Sequence, residues 1–258
     1  MPEISLNGLN TYYRQDGTGS RIFFLFNGAG CTTETWGELA EWLAGLGRVV
    51  RFDARGAGQT ELPEEPYTLE TLTKDAIALM DHLEIEKAIL IGHAFGGRIA
   101  QIVTRDYPER ASALILCGTG GFYPPKTGQP PADVSREEAW LYHFCGSRFR
   151  EEQPERAQHL LDEVLAMHPP PEAGELRGRA IRATPAATYW GTTPDSLPVL
   201  LVYGTEDRFG HTDNAHDLAE RLKNSRLVFI EGTGHFAIRE KPERVLVEIT
   251  DFIKEHGL

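Results

Sequence analysis

Cysteine is scarce: Cys31, Cys117 and Cys145 are the only three in 258 residues, and their spacing is irregular. That argues against a disulfide framework or a cysteine-built metal cluster and leaves reduced thiols. Long apolar runs are missing too, none approaching the roughly 18 residues of a membrane span. Met1 to Asn10 lacks the charged and apolar regions of a secretion signal, so the expected location is the cytoplasm. Positive charge is in deficit, with 26 Lys+Arg against 38 Asp+Glu and a net charge of −12. Such a field repels polyanions and argues against nucleic acid or an anionic membrane as the main partner, leaving small molecules. No internal repeat or low-complexity tract is evident, and the oligomeric state is not readable.

What is present is the balance of a folded globular chain, with 41% hydrophobic and 25% charged residues. Nearly continuous apolar runs at Ile22 to Phe26, Val49 to Phe52, Ala88 to Ile91, Ala113 to Cys117, Val199 to Tyr203 and Leu227 to Ile230 read as strands buried on both faces. Helical spacing fills the gaps at Trp36 to Leu46, Leu69 to Leu83, Phe95 to Tyr107, Asn214 to Leu222 and Glu243 to His256. Alternation of this kind predicts an α/β fold, a mostly parallel central sheet with helices on both faces. At the front, Ile4 to Leu6 and Thr11 to Arg14 flank Asn7-Gly8, which reads as a hairpin and adds an antiparallel edge. Between Gly118 and Pro198 the rhythm fails: prolines cluster, and Glu137 to Phe144, Pro154 to Met167 and Ala173 to Ala183 read as helices. The expected organisation is a core of residues 1–118 and 198–258 with a helical cap inserted at 119–197.

The strand Ala88 to Ile91 runs into Gly92-His93-Ala94-Phe95-Gly96-Gly97 and then directly into a helical run. Strand, sharp turn, helix is the geometry that thrusts one side chain above a sheet, and its neighbours two positions away must be small. Two more glycine-rich loops follow earlier strands, Asn27-Gly28-Ala29-Gly30 and Asp53-Ala54-Arg55-Gly56-Ala57-Gly58. Near the end stand Gly204-Thr205-Glu206-Asp207 and Gly232-Thr233-Gly234-His235-Phe236, each after a strand. Taken singly, Asp207 could simply stabilise its turn and His235 could be an ordinary loop residue. In this order, the set resembles the α/β-hydrolase superfamily, with its G-x-S-x-G nucleophile elbow, its H-G-x-G and D-x-R-G-x-G loops, and its chain order of nucleophile, acid and histidine. The resemblance covers nearly all of the chain outside the insertion and extends to small capped members such as enol-lactonases, meta-cleavage hydrolases and aminoacrylate hydrolases.

The resemblance implies an α/β-hydrolase fold and a hydrolase acting on a carbonyl-containing small molecule, an ester, a lactone or a carbon–carbon bond. Ala94 occupies the nucleophile position, Asp207 is the acid and His235 the base, with Glu206 a weaker candidate acid and His93 a supporting residue. The oxyanion hole it implies is the backbone N–H groups of Ala29 and Phe95. The chain departs from the family at Asn27, where histidine is usual, and at Ala94, which has no hydroxyl. Three accounts of Ala94 stay open: replacement of a serine, which removes the covalent step and leaves binding; a natural alanine elbow in which His235 and Asp207 activate water; and a non-catalytic ligand-binding protein. No metal or organic cofactor is implied, since His143, His159 and His168 show no ligand spacing. Gly28 and Gly30 do not extend to a dinucleotide fingerprint, because Thr33 stands at the third glycine.

An apolar or aromatic substrate is expected from the aromatics of the insertion, Phe122, Tyr123, Trp140, Tyr142, Phe144, Tyr189 and Trp190. Of these, Phe122, Trp140, Tyr189 and Trp190 are the expected pocket residues, with Asn27, Gly28 and Phe236. Their bland alternative is packing of the cap on the core. Arg148, Arg150, Arg177, Arg179 and Arg182 make the insertion locally basic, and pairing with Glu151, Glu152 and Glu175 on a solvated face accounts for them without an anionic ligand.

Overall fold

A computed structural model describes residues 3–167 and 169–258. Met1, Pro2 and His168, the last weighed above as a metal ligand, lie outside the described residues. Eight strands form one sheet in the order β1-β2-β4-β3-β5-β6-β7-β8. They are β1 (Glu3–Leu6), β2 (Leu9–Asp16), β3 (Ile22–Phe26), β4 (Arg48–Phe52), β5 (Ala88–His93), β6 (Ala111–Cys117), β7 (Val199–Gly204) and β8 (Ser225–Ile230). The β1–β2 hairpin lies antiparallel at one edge, turning through Asn7 and Gly8, both at positive φ. All pairings from β4 across to β8 are parallel.

Two apolar layers sandwich the sheet, and the alternation along each strand decides which layer a residue joins. In β3, for example, Phe24 and Phe26 face one layer and Phe23 and Leu25 the other. The first layer gathers helices α2 (Leu69–His82), α3 (Phe95–Asp106) and, further along the chain, Thr212–Arg221. The second takes α1 (Gly37–Ala44) and the C-terminal helix Pro242–His256. Because β4 and β5 lie on opposite sides of β3, the chain reverses its direction of travel across the sheet there. Loops leaving the carboxyl ends of β3 and β5 therefore part and leave a crevice, the usual ligand position in such sheets.

Between β6 and β7 no strand occurs among the described residues. Instead come α4 (Arg136–Phe144), α5 (Ser147–Glu152), α6 (Pro154–Ala166) and α7 (Pro171–Ala183). Ser135 and Glu138 form a reciprocal capping box that starts α4, and prolines stand in the first turns of α6 and α7, where a missing N–H costs nothing. The short α5 carries no sequence signal strong enough to separate it from its neighbours. Helices α4, α5 and α6 share a small apolar cluster of Cys145, Phe149, Ala157 and Leu160 with Phe236, whereas α7 packs through Ala180 on the first layer. The helices α8 (Thr212–Arg221), α9 (Ala237–Glu240) and α10 (Pro242–His256) complete the chain. No helix among the described residues is long and apolar enough to cross a membrane.

Candidate active site

The turn after β5 has the strained geometry its glycines suggest. Ala94 adopts φ 50° and ψ −112°, a conformation that costs a non-glycine residue about 1–3 kcal/mol. Its amide donates to the Cys117 carbonyl at 2.9 Å, and its carbonyl accepts from Gly97 at 3.2 Å, so the surrounding backbone holds the strain in place. A Cβ on Gly92 would sit 2.5 Å from the Gly97 Cα, and one on Gly96 would sit 2.1 Å from the Phe26 carbonyl oxygen. Glycine at both positions is what lets strand, turn and α3 pack so closely.

His235 follows β8 and Asp207 follows β7, and the two side chains meet: Nδ1 lies 3.0 and 3.1 Å from the two carboxylate oxygens. Asp207 also accepts the amides of Phe209 at 2.9 Å and Gly210 at 2.7 Å. Burial pushes this carboxyl up, but the His235 ring and those two amides outweigh it and hold Asp207 below its ordinary value. The proton shared with Asp207 belongs on Nδ1, which leaves Nε2 with its lone pair.

The histidine loop is braced from three sides. The His235 amide donates to the carbonyl of Phe144 at 2.8 Å, and the His235 carbonyl lies 3.1 Å from His93 Nε2, which must carry the proton of that bond. Buried Glu240 accepts the Gly234 amide at 3.0 Å and the Gly146 amide at 2.9 Å, tying the loop to the start of α5. Burial pushes Glu240 up to about 7, whereas burial pushes His93 down to about 3, with the His235 ring adding to the fall. Among the described residues, His93 Nδ1 is buried without a hydrogen-bond partner.

Ala94 and His235 line a cavity of about 370 Å³. Gly28, Ala29, Phe95 and Trp140 line it with them, and Phe144, Phe209 and Phe236 pack their rings around His235. Trp140 stacks on Phe144 at 4.7 Å, and Phe144 on Phe209 at 4.6 Å. Phe95 opens α3, so its N–H has no acceptor one turn back and sits at the positive end of the helix dipole. A wider, more polar hollow of about 630 Å³ lies between the 53–60 loop and α6, away from Ala94 and His235. Asp53 there is pushed up to about 6 by burial and ties its loop together by accepting Thr33 and Gln59 amides.

Of the pocket residues expected from sequence, Gly28, Trp140 and Phe236 line the cavity and four others do not. Asn27 spends its side chain on the framework, donating to the Phe52 carbonyl at 2.8 Å and accepting Trp36 Nε1 at 2.7 Å. Tyr189 and Trp190 are buried in the core layer beside α3, where Trp190 Nε1 donates to Asp217 at 2.7 Å. Phe122 is largely exposed, lying over Trp190 and beneath the Arg221 guanidinium. Glu206 is engaged by the Ser147 amide and hydroxyl at 2.9 and 2.8 Å. Cys31 does reach the cavity wall, but burial raises its thiol pKa and so disfavours the thiolate a nucleophile needs.

Three contributors escaped the sequence reading. Arg98 lines the cavity and stands four residues after Ala94, the spacing of one helical face, which is a signal that was available. Phe209, two residues after Asp207, carries no such signal. Neither does Glu240, whose role depends on burial that a charged residue in a helix does not announce.

A family model for the alpha/beta hydrolase family matches residues 22–249. The chain is 28% identical over 275 residues to a 2-hydroxymuconate semialdehyde hydrolase of Pseudomonas sp. (strain CF600), covering 98% of this chain and 93% of that protein. It is 26% identical over 254 residues to 3-oxoadipate enol-lactonase 2 of Acinetobacter baylyi, covering 93% and 90%. The solved enol-lactonase of Burkholderia xenovorans LB400 superposes with a TM-score of 0.83 at 25% identity, over 98% of this chain and all of that one. With an elbow, an acid and a histidine on the loops of an eight-stranded sheet, and a family match spanning most of its length, the chain belongs to the alpha/beta hydrolase family.

Proposed function

We propose that the cavity is a hydrolase site for small carbonyl compounds, esters, lactones or activated carbon–carbon bonds, with an apolar or aromatic portion held by Trp140, Phe144 and Phe236. The His235–Asp207 pair carries this reading, because a buried, aspartate-oriented imidazole beside a strained elbow is a general base and has no use in a passive pocket. With a hydroxyl at position 94, His235 Nε2 takes its proton as the oxygen attacks the carbonyl carbon. The Ala29 and Phe95 N–H groups receive the oxyanion, and His235 returns the proton to the leaving oxygen or carbon. Water repeats the sequence to release the acid. Helices α4 to α7 act as a cap that keeps the reacting groups out of bulk water, and three unbridged cysteines fit a cytoplasmic setting.

Ala94 supplies no hydroxyl, so this chain forms no covalent intermediate there. The intact pair favours a second reading alongside the first, in which a water molecule takes the place of the hydroxyl, gives its proton to His235 Nε2 and adds to the carbonyl directly. Turnover of aryl esters and lactones by the chain, by Ala94→Ser and by His235→Ala separates the two. A serine-type site gains orders of magnitude in Ala94→Ser, whereas a water-activating site turns over as it stands and loses that activity in His235→Ala.

A further inference from the structure

The strap that leaves β6, residues 118–125, forms one wall of the cavity, which Gly120, Gly121, Tyr123 and Pro125 line. Its start is packed against the His235–Asp207 pair. A Cβ on Gly118, which stands at φ 56°, would come within 3.0 Å of an Asp207 oxygen and 3.3 Å of His235 Nδ1. The Gly118 carbonyl in turn lies against Gly210, where a Cβ would meet it at 2.3 Å. One side chain ties this strap to the turn that carries Asp207. Asn214, fully buried in the first turn of α8, accepts the Phe122 and Tyr123 amides on Oδ1 at 3.2 and 2.8 Å. Its Nδ2 donates to the Tyr123 carbonyl at 3.1 Å and to the Gly210 carbonyl at 2.7 Å.

A primary amide has two lone pairs and two N–H groups, so Asn214 is fully used, and turning its amide over would set donors against donors and oxygen against oxygen. Such a group is costly to bury and stays only where its bonds are made. The bond to Gly210 reaches furthest. Gly210 is held at both ends, its carbonyl by Asn214 and its amide by Asp207 at 2.7 Å. A glycine has the freest backbone of any residue, so the direction of that amide depends on what holds the rest of the turn. We propose that Asn214 is a positioning residue that works through Gly210: it aims the amide that holds Asp207, and thereby the ring of His235, while its oxygen keeps the strap in the cavity wall. What His235 then does rests on the hydrolase reading; how Asp207 and His235 are held does not.

The first readout needs no substrate. Long-range proton–nitrogen correlation spectra, with the neutral His235 ring assigned through His235→Gln, report which of its nitrogens carries the proton. The unaltered chain shows Nδ1, and Asn214→Ala shows a ring that exchanges between both nitrogens. Asn214→Asp, of the same shape, keeps an acceptor for the strap amides but has no N–H for Gly210; it shifts the ring the same way and guards against a folding defect in the alanine variant. The second readout is turnover of aryl esters in the Ala94→Ser background. There kcat falls by about tenfold or more in both variants, the worth of one hydrogen bond to a charged group. KM rises only in Asn214→Ala, which alone releases the strap. Lys126→Met, which cuts the exposed ion pair with Asp213 just after the strap, changes neither readout. A ring already mixed in the unaltered chain overturns the inference, as does an Nδ1-protonated ring in the folded Asn214 variants or an equal loss in Lys126→Met. If Ala94→Ser hydrolyses aryl esters and Asn214→Ala leaves kcat unchanged, the hydrolase reading stands and the positioning role falls. If Ala94→Ser hydrolyses nothing while the ring shifts in both Asn214 variants, the positioning role stands and the hydrolase reading falls.

Discussion

Asp207 grips the Nδ1 edge of His235 with both carboxylate oxygens, at 3.0 and 3.1 Å, while one of those oxygens is itself held by two backbone amides. The acceptor is fixed before the histidine is, so ring orientation and tautomer are set together. In the Ala94→Ser background, Asp207→Asn keeps the shape but offers an amide donor where an acceptor is required. Turnover of an activated ester falls by about 10⁴-fold, the loss seen when a triad histidine is held in the wrong tautomer. A loss below tenfold contradicts the role given to Asp207.

Close packing at the elbow makes a stability prediction with an internal control. Gly96→Ala drives a methyl into the Phe26 carbonyl at 2.1 Å and destabilises the fold by at least about 3 kcal/mol in urea unfolding. Gly8→Ala, at φ 82° with nothing within 4 Å, carries only the conformational cost of about 1–2 kcal/mol. Equal losses at the two positions contradict the close-approach account.

Glu240 and His93 bend the pH dependence of stability in opposite directions. The Glu240 carboxyl rises from 4.5 to about 7 on folding, so its contribution is fully present below about pH 4.5 and is lost as pH rises through 7. Glu240→Gln removes that loss, and its stability relative to the parent improves by about 2–3 kcal/mol between pH 5 and pH 8. A pH-independent difference in urea unfolding contradicts the assignment.

His93 falls from 6.5 to about 3, so its contribution is present above pH 6.5 and is lost as the solution is acidified toward 3. At pH 5 the parent has given up about 2 kcal/mol that His93→Gln cannot lose, so the gap between them narrows by that amount from pH 7.5 to pH 5. A gap that widens on acidification contradicts a buried neutral imidazole.

The sheet was legible because its parallel strands are buried on both faces and read as unbroken apolar runs, and the elbow because two glycines two residues either side of Ala94 have few other uses. The aromatic lining was only half legible. Trp140 and Trp190 look alike in sequence, yet one stacks over the cavity and the other turns its indole N–H to Asp217 in the core. Nothing local distinguishes them, since the outcome depends on which side of α3 the chain passes. Asn27 misleads for a related reason: beside a glycine loop it looks like a site donor, but Trp36 and Phe52 satisfy it within the framework. Paired arginines such as Arg148 with Glu152 and Arg179 with Glu175 follow from helical spacing, whereas the unpaired state of Arg98 requires the fold.

We propose position 94 as the nucleophile position of a competent hydrolase site. Its most direct measurement is the rate of covalent labelling by an aryl fluorophosphonate, followed by mass spectrometry, in the chain and in Ala94→Ser. Stoichiometric labelling at residue 94 of the serine form, abolished by His235→Ala, with none in the alanine form, is the expected result. A serine form that stays unlabelled while folded and stable would contradict it.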